Sequence, residues 1–134
     1  MNIKFRFVLL LIVSNGGLQD FIADRENSSS AYQFVMPSLA VNSSGDIVIG
    51  FSCARDTEYV GASFWGRKAN GTYLIRPALI QAGRGIFPRE RWGDYSSTTV
   101  DEGTGHFWTI QEYAEPEWEV EYRYGLWINR IAAQ

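Results

Sequence analysis

Apolar and polar residues fall in short runs along this chain, each closed by a cluster of turn-forming residues. Alternation with a period of two, bounded by Gly, Asn, Asp, Ser and Pro, is the pattern of β-strands and tight turns. A strand is expected over 34–42, entered through Met36 and Pro37, and a second over 46–52. The second is nearly all apolar, as expected of an inner strand covered on both faces. Residues 55–57 read as a turn, 59–67 as a third strand, and 69–71 as the next turn. A fourth strand is expected over 72–81. Pro77 interrupts it, and a residue with no N–H to give to a ladder belongs at a sheet edge. Residues 83–91 read as a loop. No helical stripe of useful length appears, so the expected fold class is all-β with antiparallel four-stranded units.

The pattern then repeats. Pro37, Ser38, Leu39, Ala40, Val41 and Asn42 precede a Ser-Ser-Gly turn and an apolar strand. Residues 95–101, a turn over 102–105 and residues 106–111 do the same about 59 residues later. A repeat of this length built from short strands points to blades of a β-propeller, in which each unit buries its faces against neighbours. The first blade is expected over about 34–82 and the second over about 91–131, its third strand ending at Ile131. Closed propellers use about four to eight blades. The pattern here supplies about two, so a partial propeller is expected.

Two readings of the N-terminus stay open. Residues 1–16 have a basic start at Lys4 and Arg6, an apolar run over 7–13 and a small-residue site at 14–16, which is signal-peptide grammar. The run is shorter than the roughly 20 residues a bilayer-spanning helix needs, so no transmembrane segment is expected. Alternatively, residues 3–13 and 18–22 form a hairpin turned at Asn15-Gly16, a pair suited to positive φ. The propeller domain is placed at 17–134. A polar, Ser-rich loop is expected over 24–31. Three Asn-x-Ser/Thr sequons, at Asn27, Asn42 and Asn70, mark expected surface turns.

Composition narrows the function classes. The 134 residues suit one domain; 46% are hydrophobic and 15% aromatic, and 13 are glycine. The formal net charge of −3 leaves no cationic footprint for nucleic acid. One cysteine, Cys53, cannot form an internal disulfide and is expected as a buried, inert thiol. With one cysteine and one histidine, a Cys/His zinc cage, which needs about four ligands, is excluded. No metal and no cofactor is expected. A glycine-x-glycine pair at Gly83 and Gly85 lacks the third glycine and following helix of a phosphate-cradling loop.

At Arg91, Trp92, Gly93, Asp94, Tyr95 and Ser96 the chain resembles an uncharacterised group of bacterial proteins with a sialidase-like, BNR-type six-bladed propeller fold. In that resemblance, residues 37–42 are followed by a Gly-Asp turn and an apolar strand. Gly66-Arg67, Gly83-Arg84-Gly85 and the six-residue segment come next. Phe107-Trp108-Thr109, Glu112-Tyr113, Leu126-Trp127-Ile128 and Arg130-Ile131 close the series. The likeness covers about residues 18–131, and the six-residue segment is its specific part. It implies the C-terminal portion of a longer propeller, whose remaining blades or self-association would close the ring. Thr99-Val100-Asp101-Glu102-Gly103 only approximates an Asp-box, because Trp108 follows too late. Sialidases also use an arginine cluster, a Tyr/Glu nucleophile pair and an acid/base Asp. Those roles cannot be placed on this sequence, so the activity does not carry over.

Candidate chemistry is sparse. Arg91, Trp92, Asp94 and Tyr95 put a cation, an indole, a carboxylate and a phenol on one turn, which suits stacking on a pyranose as well as a purely structural corner. Glu115, Glu117, Glu119 and Glu121 alternate with Pro116, Trp118, Val120 and Tyr122, which reads as a charged strand edge rather than a calcium loop. Asp94, Asp101 and Glu112 stand near strand ends. Asp94 and Glu112 are the candidate acid/base pair, which would need a separation of about 5–9.5 Å. His106 reads as an ordinary strand histidine, with no nucleophile elbow to make it part of a triad. The expected function is a non-catalytic, secreted or cell-surface propeller portion that binds carbohydrate through Arg91, Trp92, Tyr95 and Trp127. The alternatives are a remnant of a glycoside-hydrolysing enzyme and a structural fragment.

Overall fold

A computed structural model of the chain describes residues 33–87, 92, 95–116 and 123–133. The expectations for residues 1–16, the loop at 24–31, Asn27, Arg91, Asp94, Glu117, Glu119 and Glu121 lie outside the described residues. Seven strands are present, and no helix occurs among the described residues. They are β1 (Gln33–Val41), β2 (Ile47–Arg55), β3 (Glu58–Arg67), β4 (Tyr73–Gln81), β5 (Ser97–Val100), β6 (Phe107–Ala114) and β7 (Tyr124–Ile131). Strands β1 to β4 form one antiparallel meander, sheet A. Strands β5 to β7 form a second, sheet B.

Local chemistry sets the turns. Asn42 folds back on its own turn, its Oδ1 accepting from the N–H of Ser44 at 3.0 Å and of Asp46 at 2.9 Å. That leaves Gly45 at φ 82°, a conformation that costs glycine nothing. Between β5 and β6, Asp101 Oδ1 accepts from Gly103 N at 3.0 Å and Oδ2 from Thr104 Oγ1 at 2.7 Å. These bonds favour the ionised carboxylate, so Asp101 titrates below its ordinary 3.8. The Asp-box-like segment thus closes a turn. Pro77 lies in β4, which is the edge of sheet A, and the β3–β4 pairing is irregular there. Pro37 sits at a bulge in the opposite edge strand, next to Met36 at φ 51°.

The two sheets lie face to face. Strand β1 runs beside β5, β2 and β3 cover β6, and β4 touches β7. One end of their interface is apolar: Val48, Phe64, Phe107 and Ile131 pack together, with Val48 and Phe107 fully buried. Burying such side chains contributes about 1.5–3 kcal/mol each. The other end is polar. Gln111 Nε2 donates to Ser38 Oγ at 3.0 Å and to Thr109 Oγ1 at 2.9 Å, and Ser96 Oγ donates to Gln111 Oε1 at 2.8 Å. Gln111 and Thr109 are fully buried and fully bonded, which removes the cost of placing them there. Gly50 faces this cluster. A Cβ on it would stand 2.2 Å from both Gln111 Nε2 and Thr109 Oγ1. The opposite face of sheet A carries a second buried cluster of Ile49, Phe51, Cys53 and Trp65. Strand β2 is therefore covered on both faces, as its apolar run predicts, and Cys53 is buried against Ser63.

Candidate functional site

The densest polar chemistry outside the sheet interface is at the end of β6. The N–H of Arg84 donates to Ala114 O at 2.7 Å, fixing the chain after β4 against β6. This brings Arg84 Nη1 within 3.3 Å of Glu115 Oε2. The Tyr113 hydroxyl donates to the other carboxylate oxygen of Glu115. That bond, then burial, then the Glu115 charge hold the phenol above its ordinary 10.0, and Arg84 opposes part of the effect. Tyr113 is consequently a protonated donor at neutral pH. Its ring lies over Gly125, where a Cβ would come within 2.3 Å of it. Trp127 meets the same ring edge-on, with centroids 6.4 Å apart. Glu115 is thus engaged in an ion pair and a hydrogen bond, rather than forming part of a solvated acidic edge.

Of the four expected sugar-contact residues, Trp92, Tyr95 and Trp127 fall among the described residues. Arg91 lies outside the described residues. Trp92 packs edge-on against Phe87, centroids 4.8 Å apart, and its buried Nε1 has no partner among the described residues. Tyr95 stacks on Tyr124 at 5.9 Å and 26°, both rings about half exposed. Strand alternation puts Tyr124 on the outer face of sheet B and Trp127, paired with Gln111, on the face turned toward sheet A. Tyr124 is the aromatic that sequence reading missed. It opens β7, whose onset follows the alternating acidic stretch, where nothing marks the start.

The acid/base candidates fare differently. Asp94 lies outside the described residues. Glu112 is 3% exposed, and its backbone carbonyl accepts from Ser52 Oγ at 3.0 Å. His106 stands just before β6 and accepts at Nδ1 from the N–H of Ala133 at 3.1 Å, tying the end of β7 to the β5–β6 turn. Its imidazole has a structural task. Of the sequons, Asn42 is 7% exposed and donates to Gly105 O at 3.2 Å, so it does not offer a free surface amide. Asn70 sits in an exposed turn, its Oδ1 accepting from Thr72. No group of His, Cys, Asp and Glu among the described residues could hold a metal ion.

A larger surface feature is the outer face of sheet B. The registers β1–β2–β3 and β5–β6–β7 superpose with Val48 on Trp108, Gly50 on Ile110, Ala62 on Leu126 and Phe64 on Ile128. On sheet A these positions face sheet B and are sealed. On sheet B they face outward: Trp108 is 40% exposed, Leu126 51% and Ile128 60%. The two sheets therefore stack in the same sense, the front of one on the back of the next. In comparison with known proteins, no family model, no curated protein and no solved structure matches the chain.

Proposed function

We propose that this chain is a non-catalytic, secreted or cell-surface module of propeller-like stacked sheets that binds carbohydrate. The stacked pair of Tyr95 and Tyr124 carries the reading: two half-exposed phenol rings lie roughly parallel, as a platform for the apolar face of a sugar needs. Stacking of the two sheets in the same sense supports propeller-like blades, since that is how neighbouring blades meet. The basic-apolar-small pattern of residues 1–16 supports export. The burial of Glu112 favours a non-catalytic role, because a carboxylate that takes part in glycoside hydrolysis must reach its substrate. The test is calorimetric titration with a panel of oligosaccharides. Binding without turnover, weakened at least tenfold in Tyr95→Ala and Tyr124→Ala, is expected. A folded chain that binds no glycan contradicts the proposal.

One observation favours the second reading, a remnant of a glycoside-hydrolysing enzyme. Tyr113 and Glu115 form a phenol–carboxylate pair of the kind the sialidase resemblance asks for, with one guanidinium, Arg84, in place of an arginine cluster. Against it, Tyr113 is only 9% exposed and its phenol is held protonated. Turnover of a fluorogenic sialoside that disappears in Tyr113→Phe would establish this reading in place of the first.

A further inference from the structure

We propose that His106 is an acid-sensitive latch on the end of β7: as a neutral imidazole it holds Ala133, and as an imidazolium it lets Ala133 go. The inference goes beyond the carbohydrate reading and does not depend on it. The β5–β6 turn fixes the histidine first. Asp101 N–H donates to His106 O at 2.8 Å, and His106 N–H donates to Thr104 Oγ1 at 3.3 Å. Gly105 O accepts from Asn42 Nδ2 at 3.2 Å, which ties the turn to sheet A. From this mount His106 Nδ1 accepts from Ala133 N–H at 3.1 Å. The segment it holds closes one end of the core. Ile131 is 6% exposed in the cluster with Val48, Phe64 and Phe107, and Ala133 packs against the same cluster.

The chemistry of that bond makes it a switch. A neutral imidazole has one acceptor nitrogen, so accepting at Nδ1 places its proton on Nε2. Protonation puts a second N–H at Nδ1. Two donors then face each other, and the partly buried Ala133 N–H loses its partner. Imidazole is the side chain whose ordinary titration falls between about pH 5 and 8. The charged groups around it leave that proton to the histidine. On the same turn, Asp101 attracts the imidazolium, and Glu102 is exposed. From sheet A, Asp46 stands beyond Asn42, its carboxylate accepting from Asn42 Nδ2 at 3.4 Å and from Ala69 N–H at 3.0 Å. On β7, Arg130 is placed opposite Trp108 of β6. Asp101 is kept ionised by its bonds to Thr104 and Gly103, so its charge stays constant while the histidine titrates.

The experiment is hydrogen exchange of the Ala133 amide, read by NMR on the full chain at about pH 7.5 and about pH 5, each rate referred to the intrinsic rate at that pH. Protection of Ala133 is expected to fall about tenfold in acid while the amides of β6 keep theirs, as in local opening of a chain end. The imidazole nitrogen shifts are expected to show the proton on Nε2 at the upper pH. His106→Asn offers an acceptor oxygen near the Nδ1 position that does not titrate, so Ala133 is expected to stay protected at both pH values. His106→Phe is expected to leave it unprotected at both. If one variant fails to fold, the other decides. Equal protection at both pH values in the wild type, a proton on Nδ1 at the upper pH, an acid-induced fall that persists in folded His106→Asn, or a protected Ala133 in folded His106→Phe would overturn the proposal.

Discussion

Ala62 and Leu126 hold corresponding places in the two sheets, as do Phe64 and Ile128, yet one pair is sealed and the other stands in solvent. The backbone registers match, so strand geometry does not separate them. What differs is the neighbour. Sheet A presents its front to the back of sheet B, whereas no described element covers the front of sheet B. Burial at these paired positions follows the facing sheet and not the strand pattern, which is the same in both.

The comparison can be broken most forcefully at adjacent residues of β6. Phe107 is fully buried between the sheets and Trp108 points outward. Phe107→Ala is expected to cost about 3–5 kcal/mol in urea unfolding. Trp108→Ala, despite removing the larger ring, is expected to cost under about 1 kcal/mol. A smaller loss is expected in the polar half of the interface. Gln111→Ala leaves the hydroxyls of Ser38, Ser96 and Thr109 short of partners in a buried place, for about 1–3 kcal/mol by the same measurement.

Gly125→Ala sharpens the contrast at the end of β6. The new methyl group meets the Tyr113 ring, with an expected loss of about 1–3 kcal/mol and displacement of Tyr113 from Glu115. The pH dependence reports the same contact. The folded-state pKa of Tyr113 is raised above 10.0, so its contribution is complete below pH 10 and is lost as pH rises through the folded value. Tyr113→Phe should therefore flatten the alkaline limb of the stability profile, measured by urea unfolding above pH 9. The smallest effect is expected at the β5–β6 turn. The folded-state pKa of Asp101 is depressed below 3.8, so its contribution is present above pH 3.8 and disappears as pH falls through the lower folded value. Asp101→Asn should narrow the stability difference between pH 5 and pH 2, with the rest of the profile unchanged.

Strand identity was legible in the sequence because side-chain alternation and turn chemistry are local. The first four strands, the turn at 69–71, the edge position of the Pro77 strand and the end of β7 at Ile131 all follow from residues within a few positions of each other, while the turn expected over 55–57 begins one residue later because Arg55 pairs with Glu58 at the end of β2. The doubly covered β2 was legible from its unbroken apolar run. The site was not. Arg84 and Glu115 meet only because the loop after β4 bonds to the end of β6, a long-range contact with no local signature. The polar cluster around Gln111 was equally silent, since Ser, Thr and Gln in strands read as solvent-facing until a second sheet is placed over them. Glu115 read as part of an alternating acidic edge, whereas its partners lie on the loop after β4 and on β6.

Gly50 offers the most direct test of the stacking of sheet A on sheet B. In an isolated strand, replacing glycine with alanine stabilises by about 0.5–1 kcal/mol, through reduced backbone entropy. Here the added methyl group would collide with Gln111 and Thr109 of the other sheet. Urea unfolding of Gly50→Ala is therefore expected to show destabilisation of about 1–3 kcal/mol, at least partly relieved when Gln111→Ala and Thr109→Ala are combined with it. A Gly50→Ala chain as stable as the wild type or more so, with strictly additive double variants, would contradict the packing of the two sheets.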